Sequence, residues 1–146
     1  MKKLLSILLI SVILLSGCDA HTYLTYTYAT NTGYKVIVKL ETTDGYKIHN
    51  DDTTFTVVDS DKNDMINAMI VNSDGVSIYT SGANSCNPEF GEMNGNQYLH
   101  WVFEGEDYTE YNYLVALEGG KLGVLLSSLD EDSGRKAFEK LTFTTE

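Results

Sequence analysis

The feature that most constrains this chain is hydrophobic alternation with a period of two. Tyr34–Glu41 (YKVIVKLE) sets lysines against aliphatics, and Gln97–Glu104 (QYLHWVFE) separates Tyr98, His100 and Val102 from Leu99, Trp101 and Phe103. Successive side chains of a strand point to opposite faces, so this pattern marks strands with one face against a core. Ten tyrosines and a single proline fit the same architecture, because aromatic residues favour strands and proline interrupts them.

A pass along the chain gives the expected elements. Thr22–Tyr28 (TYLTYTY) puts Leu24, Tyr26 and Tyr28 on one face of a first strand, and Ala29–Gly33 turns. After the strand Tyr34–Glu41, Thr43-Asp44-Gly45 turns and Tyr46–His49 runs extended. Asn50–Asp52 breaks it, and Thr53–Val58 is the next strand. Met65–Val71 (MINAMIV) reads as a short helical or irregular start followed by a strand. Asn72–Gly75 (NSDG) predicts a hairpin turn with Val76–Thr80 as its return strand. Ser81–Gly95 reads as the longest loop. Gln97–Glu104, Tyr111–Leu117 and Leu122–Ser127 read as three antiparallel strands joined at Gly105–Glu110 and Gly119-Gly120.

Leu129–Leu141 is the one expected helix. Asp130, Glu131 and Asp132 suit the positive end of its dipole, and Lys136 and Lys140 suit the other. Ala137, Phe138 and Leu141 form its apolar stripe. Gly134 costs it up to about 1 kcal/mol. Leu141–Thr145 closes the chain as a short strand. The expected fold class is therefore α+β: a mostly antiparallel meander, an amphipathic C-terminal helix on one face and a final edge strand. The order of these elements over residues 34–145 resembles that of PsbP/Mog1-type α+β domains. That resemblance implies a non-catalytic accessory role and carries no functional residues across.

Residues 1–17 (MKKLLSILLISVILLSG) stand apart from this pattern. Lys2 and Lys3 precede an apolar run from Leu4 to Leu15. Roughly twelve helical residues rise about 18 Å, too short for a hydrocarbon core of about 30 Å. The run reads as a secretory signal rather than a permanent span. Leu15-Ser16-Gly17-Cys18 resembles the lipobox of bacterial lipoproteins. The resemblance implies a diacylglyceryl thioether on Cys18, cleavage just before it and acylation of the new amino group. Two or three acyl chains anchor stably, since each buried methylene contributes about 0.8 kcal/mol. The expected organisation is a signal peptide over 1–17, a lipid-anchored segment over 18–33 that holds the possible first strand, and one globular domain over 34–146. The expected location is the outer face of a cytoplasmic membrane.

Charge narrows the partners. The chain carries 10 basic and 21 acidic residues. Loss of residues 1–17 removes Lys2 and Lys3 and leaves a net charge of −13. Such a surface repels phosphate backbones and anionic headgroups, so no nucleic-acid partner is expected. With Cys18 lipidated, Cys86 is left without an intramolecular partner and reads as a half-buried loop cysteine. Asp59, Asp61 and Asn63 alternate like half of a calcium loop, but Asp64 and Ile70 stand where that loop needs glycine and glutamate. His21, His49 and His100 lack metal-ligand spacing. Glu104, Glu106 and Glu110 read as an exposed hairpin. Trp101 with Tyr98, Tyr111 and Tyr113 reads either as a sugar- or peptide-binding platform or as cross-strand packing. No cofactor, metal or catalytic set is expected. The leading expectation is a non-catalytic accessory or binding domain on a lipid anchor, with an envelope protein or glycan as ligand. A carboxylate-dependent envelope hydrolase and a self-associating structural component through Leu24–Tyr28 are the alternatives.

Overall fold

The computed structural model describes residues 21–146, which form ten strands and two α-helices. The expected signal segment 1–17 and the expected lipidation site Cys18 lie outside the described residues. The strands are β1 (Tyr23–Ala29), β2 (Lys35–Glu41), β3 (Lys47–Asp51), β4 (Thr54–Val58), β5 (Asp64–Asn72), β6 (Glu89–Met93), β7 (Asn96–Glu104), β8 (Thr109–Leu117), β9 (Leu122–Ser128) and β10 (Leu141–Thr145). The helices are α1 (Ser73–Ala83) and α2 (Glu131–Phe138). The fold class is α+β and mostly antiparallel sheet. Among the described residues no helix is long and apolar enough to cross a membrane.

Two sheets form. A large one has the order β3-β4-β5-β9-β8-β7-β6, and a small one has the order β1-β2-β10. The large sheet is two meanders joined by the antiparallel β5–β9 pair rather than a single continuous one. After β5 the chain crosses as α1 over β9, β8 and β7 to the far edge. It then returns strand by strand through β6, β7 and β8 to β9.

The small sheet packs on the inner face of the large one. Val36, Val38 and Leu40 of β2 meet Phe55, Val57, Ile66, Ala68, Val115, Val124 and Leu126 in one buried core. Phe138 of α2 seals it, with ring contacts to Tyr113 (4.8 Å), Tyr98 (5.2 Å) and Phe143 (6.5 Å). Removing that much apolar area from water is the main favourable term. The opposite, outer face is covered in part by α1, where Ala83 joins Val71, Leu99, Trp101 and Leu114, with Val76 and Tyr79 packed against them.

The small sheet is tied to the large one at both margins. On one side the β6–β7 hairpin reaches the free edge of β10. Asn94 Nδ2 donates to the carbonyls of Glu139 (2.8 Å) and Leu141 (2.9 Å). Asn96 donates to the Phe143 carbonyl (2.8 Å) and accepts the Phe143 N–H (2.9 Å), as a neighbouring strand would. On the other side the Tyr28 hydroxyl donates to Asn50, and its ring stacks on Phe55 at 5.5 Å. Burial, with the charge of Tyr26 second, pushes the Tyr28 hydroxyl pKa up to about 12.

Four expectations need correction. Met65–Val71 is strand throughout, because Met65, Ile66, Ala68, Ile70 and Val71 fill sites on both faces of a central strand. Asn72 is a helix N-cap, not part of a hairpin turn; its side chain accepts the Gly75 N–H at 3.0 Å. Val76–Thr80 is therefore helical: Val76, Tyr79 and Ala83 recur at i, i+3 and i+7 and bury against the outer face. Gly123 makes room for this contact, since a Cβ there would sit 2.8 Å from Val76 Cγ2. Ser81–Gly95 is not one loop; it holds the end of α1, a 3-10 turn at Asn84–Cys86 and β6. The first strand, the three strands after Gly95, the C-terminal helix and the final strand are present, the helix shorter than Leu129–Leu141.

Gly134 has a packing reason. The first turn of α2 lies so close to β9 that a Cβ on Gly134 would sit 2.7 Å from Ser128 Cβ. Ser128 is itself buried, with its hydroxyl within 2.8 Å of the Met65 carbonyl. Overpacking of about 2–3 kcal/mol at so close an approach, less a helix-propensity gain of about 1 kcal/mol, makes Gly134→Ala less stable by about 1–2 kcal/mol. Urea unfolding measures this; an alanine variant at least as stable as wild type contradicts the packing.

Candidate functional site

The acidic turns are structural. Asp59 Oδ1 accepts the N–H groups of Asp61 and Asn63, each at 2.9 Å, and Oδ2 accepts Asn63 Nδ2 at 2.9 Å. Its carboxyl is thereby occupied in closing the β4–β5 turn, a use that explains Asp59 and Asn63 without a metal. The side-chain bond from Asn63 and then its N–H hold the Asp59 pKa below its ordinary value. Asp130 caps α2 by accepting the Ser133 N–H at 2.8 Å, and the Ser133 side chain and N–H lower its pKa. Glu41 is lowered first by its bond from His21 and then by Lys140, which also pairs with Asp44 at 2.7 Å. Among the described residues no group of three His, Cys, Asp or Glu side chains is placed to hold a metal ion.

The aromatic set splits across the sheet. Tyr98 and Tyr113 turn inward onto Phe138, whereas Trp101 lies on the outer face against Ala83 and Leu114. They form no common platform. His100 is held by the Asn112 carbonyl at 2.8 Å and stacks on Tyr113 at 4.6 Å. His21 bonds Glu41 on the small sheet, and His49 is exposed on β3. Glu104 accepts from Thr109 at 2.9 Å within the β7–β8 hairpin. Cys86 ends the 3-10 turn, half-buried beside Trp101, and is free among the described residues. β1 is an edge strand, with Tyr23 and Leu24 about half exposed.

What the geometry brings together instead is the uncovered half of the outer face. The register aligns Thr56, Asn67, Ser127, Asn112 and Trp101 in one row across five strands. Trp101 and Asn112 are buried at the flank of α1, and Thr56, Asn67 and Ser127 are partly or fully exposed beyond it. Two clefts run along that flank, and Ile78 and Tyr79 line both. The first, about 640 Å³, lies between the β1–β2 turn and the N-terminal half of α1, with Asp74 and Met69 in its wall. The second, about 420 Å³, is walled by Trp101, Phe103, Tyr108, Glu110, Asn112 and Cys86. Such concave, mostly apolar surfaces with a few polar groups are where ligands bind.

Sequence reading missed this site because it depends on α1, read as a strand. The signal was available: Asn72 precedes Val76, Tyr79 and Ala83, a capping residue before helically spaced apolar side chains. Charge spacing also marks it. Between Lys62 and Lys121 the chain has nine Asp or Glu and no Lys or Arg, and every residue walling the second cleft comes from this stretch. Comparison with protein families, with curated proteins and with solved structures finds no match.

The lowered carboxyl groups fix the acid behaviour. A depressed acid contributes stability above its ordinary pKa, lost as pH falls through the lowered value. The thermal midpoint should hold from neutrality to about pH 5 and fall below it. Asp59→Ala should lower the neutral-pH midpoint and make the acid fall shallower. Thermal melts across the acid range check this; an acid limb identical to wild type contradicts the role given to Asp59.

Proposed function

We propose that this chain is a lipoprotein precursor whose exported domain is a non-catalytic binding module on the outer face of a cytoplasmic membrane. The observation that carries the anchor is Leu15-Ser16-Gly17-Cys18 at the end of an apolar run behind Lys2 and Lys3. Four residues separate Cys18 from the start of β1 at Tyr23. A fully extended chain spans about 3.3–3.6 Å per residue, so the domain stands within roughly 20 Å of its anchor. Net negative charge keeps its body off anionic headgroups.

Two features support binding over hydrolysis. The carboxyl groups with lowered pKa, Asp59, Asp130 and Glu41, are each engaged by a turn, a cap or an ion pair. The open half of the outer face offers clefts with apolar walls and scattered amide and hydroxyl groups. The likeness to PsbP/Mog1-type domains belongs to this reading as a match of element order and brings no site residues with it.

Intact-mass measurement of membrane-extracted protein, wild type beside Cys18→Ser, tests the anchor. The expected result is a mass for residues 18–146 plus acyl chains, lost in the variant. An unmodified mass, or cleavage elsewhere, refutes the lipoprotein reading.

A further inference from the structure

We infer that the cleft beside Trp101 docks a basic, amphipathic peptide segment of a partner protein, one carrying Lys or Arg beside an aliphatic or aromatic anchor. This rests on the binding reading above and names its partner class. The first support is apolar exposure. Ile78, Phe103 and Tyr108 are 67%, 44% and 49% exposed, and all three line this one cleft. Clustered exposed apolar side chains mark interaction surfaces, and aromatic anchors dominate their energetics.

Charge complementarity selects the partner. The whole wall of the cleft comes from the stretch without Lys or Arg. Glu110 stands in that wall, and Glu104, Glu106 and Asp107 belong to the same β7–β8 hairpin as Tyr108. The four ion pairs among the described residues all use Glu41, Asp44 or Glu146. An incoming cation therefore meets acids with no ion-pair partner among the described residues, while an acidic segment is repelled.

Asn112 is a third, independent sign. It is almost wholly buried yet lines the cleft, and its one side-chain hydrogen bond is a long 3.4 Å donation from Nδ2 to the Glu110 carbonyl. Its Oδ1 accepts no hydrogen bond among the described residues. Among the described residues no fully enclosed side-chain polar atom lacks a partner, so this oxygen keeps some exposure, on a residue that lines the cleft, and can accept a donor such as a peptide N–H or an ammonium. The surface is also long. Past Ile78 and Tyr79 it continues into the larger cleft with Asp74, which suits a segment rather than a small cation.

Trp101 is the only tryptophan in the chain, so its emission reports occupancy without a label. The full chain as its cell makes it, held in phosphatidylcholine nanodiscs, is titrated with a tryptophan-free amidated peptide alternating lysine with leucine and phenylalanine. A saturable shift in emission is expected, with affinity falling as salt rises. A peptide with glutamate for lysine, or with serine for the apolar residues, should bind at least about tenfold more weakly. Ile78→Ser and Glu110→Gln should each weaken the lysine peptide severalfold, and Leu24→Ser on the small sheet should leave it unchanged. No saturable shift with the lysine peptide, or equal binding of the glutamate peptide, overturns the inference. If chitohexaose or the glutamate peptide saturates the signal and the lysine peptide does not, the binding reading survives and the basic partner falls. Emission that moves with protein concentration alone seats a second copy in the cleft and equally rejects the inference.

Discussion

The pairing of β5 with β9 holds the large sheet together. Asn67 meets Ser127 and Asn72 meets Leu122, separations of 60 and 50 residues. Closing loops of that length costs chain entropy before any contact returns it. Burial on both faces at once offsets that cost. Ile66, Ala68 and Ile70 feed the inner core with Val124 and Leu126, while Met69, Val71 and Leu125 sit under α1. Without this seam, β3–β5 and β6–β9 would be two meanders, each with half an interior.

The seam also makes the two faces unequal. The inner face is closed by the small sheet and α2, and its margins are fastened by Asn94 and Asn96 at β10 and by Tyr28 at Asn50. The Asn94 and Asn96 amides satisfy backbone groups that the edge of β10 would otherwise leave open. Among the described residues the outer face has only α1, eleven residues long, to cover a seven-stranded sheet. One helix of about 10 Å diameter cannot span strands spaced about 4.8 Å apart across that width. The Thr56, Asn67 and Ser127 end of the row stays accessible because of that shortage of cover, while Trp101 and Asn112 are buried at its other end. The proposed binding surface lies on that face, whose Trp101 end is built from α1, β7 and β8, elements without a Lys or Arg.

Much of this architecture was legible from alternation alone. Tyr34–Glu41 and Gln97–Glu104 behave as read, because each has one face in a core and the other toward solvent or a helix. Met65–Val71 was ambiguous because both faces of β5 are buried, which erases the period of two. Asn72–Gly75 misled because the same residue types start hairpins and cap helices. The spacing of Val76, Tyr79 and Ala83 decides between the two, and Gly123 opposite Val76 made a helix fit. Asn94-Gly95 carried a strong hairpin signal that passed unused inside a supposed loop. Both residues have positive φ, 52° and 79°, as a two-residue turn between β6 and β7 requires. The candidate site was hidden because Trp101 and Tyr98, three residues apart, point to opposite faces, and no reading of a single strand reveals which face lies open.

Residue-resolved amide hydrogen exchange under native conditions tests the central claim that one long-range seam unites the protein. The amides of β5 and β9 are predicted to be the slowest to exchange and to open together with β7 and β8 in one global unfolding step. If β5 and β9 exchange faster than the hairpins on either side, the two meanders are stable without each other, and a single seven-stranded sheet with a half-open outer face is contradicted.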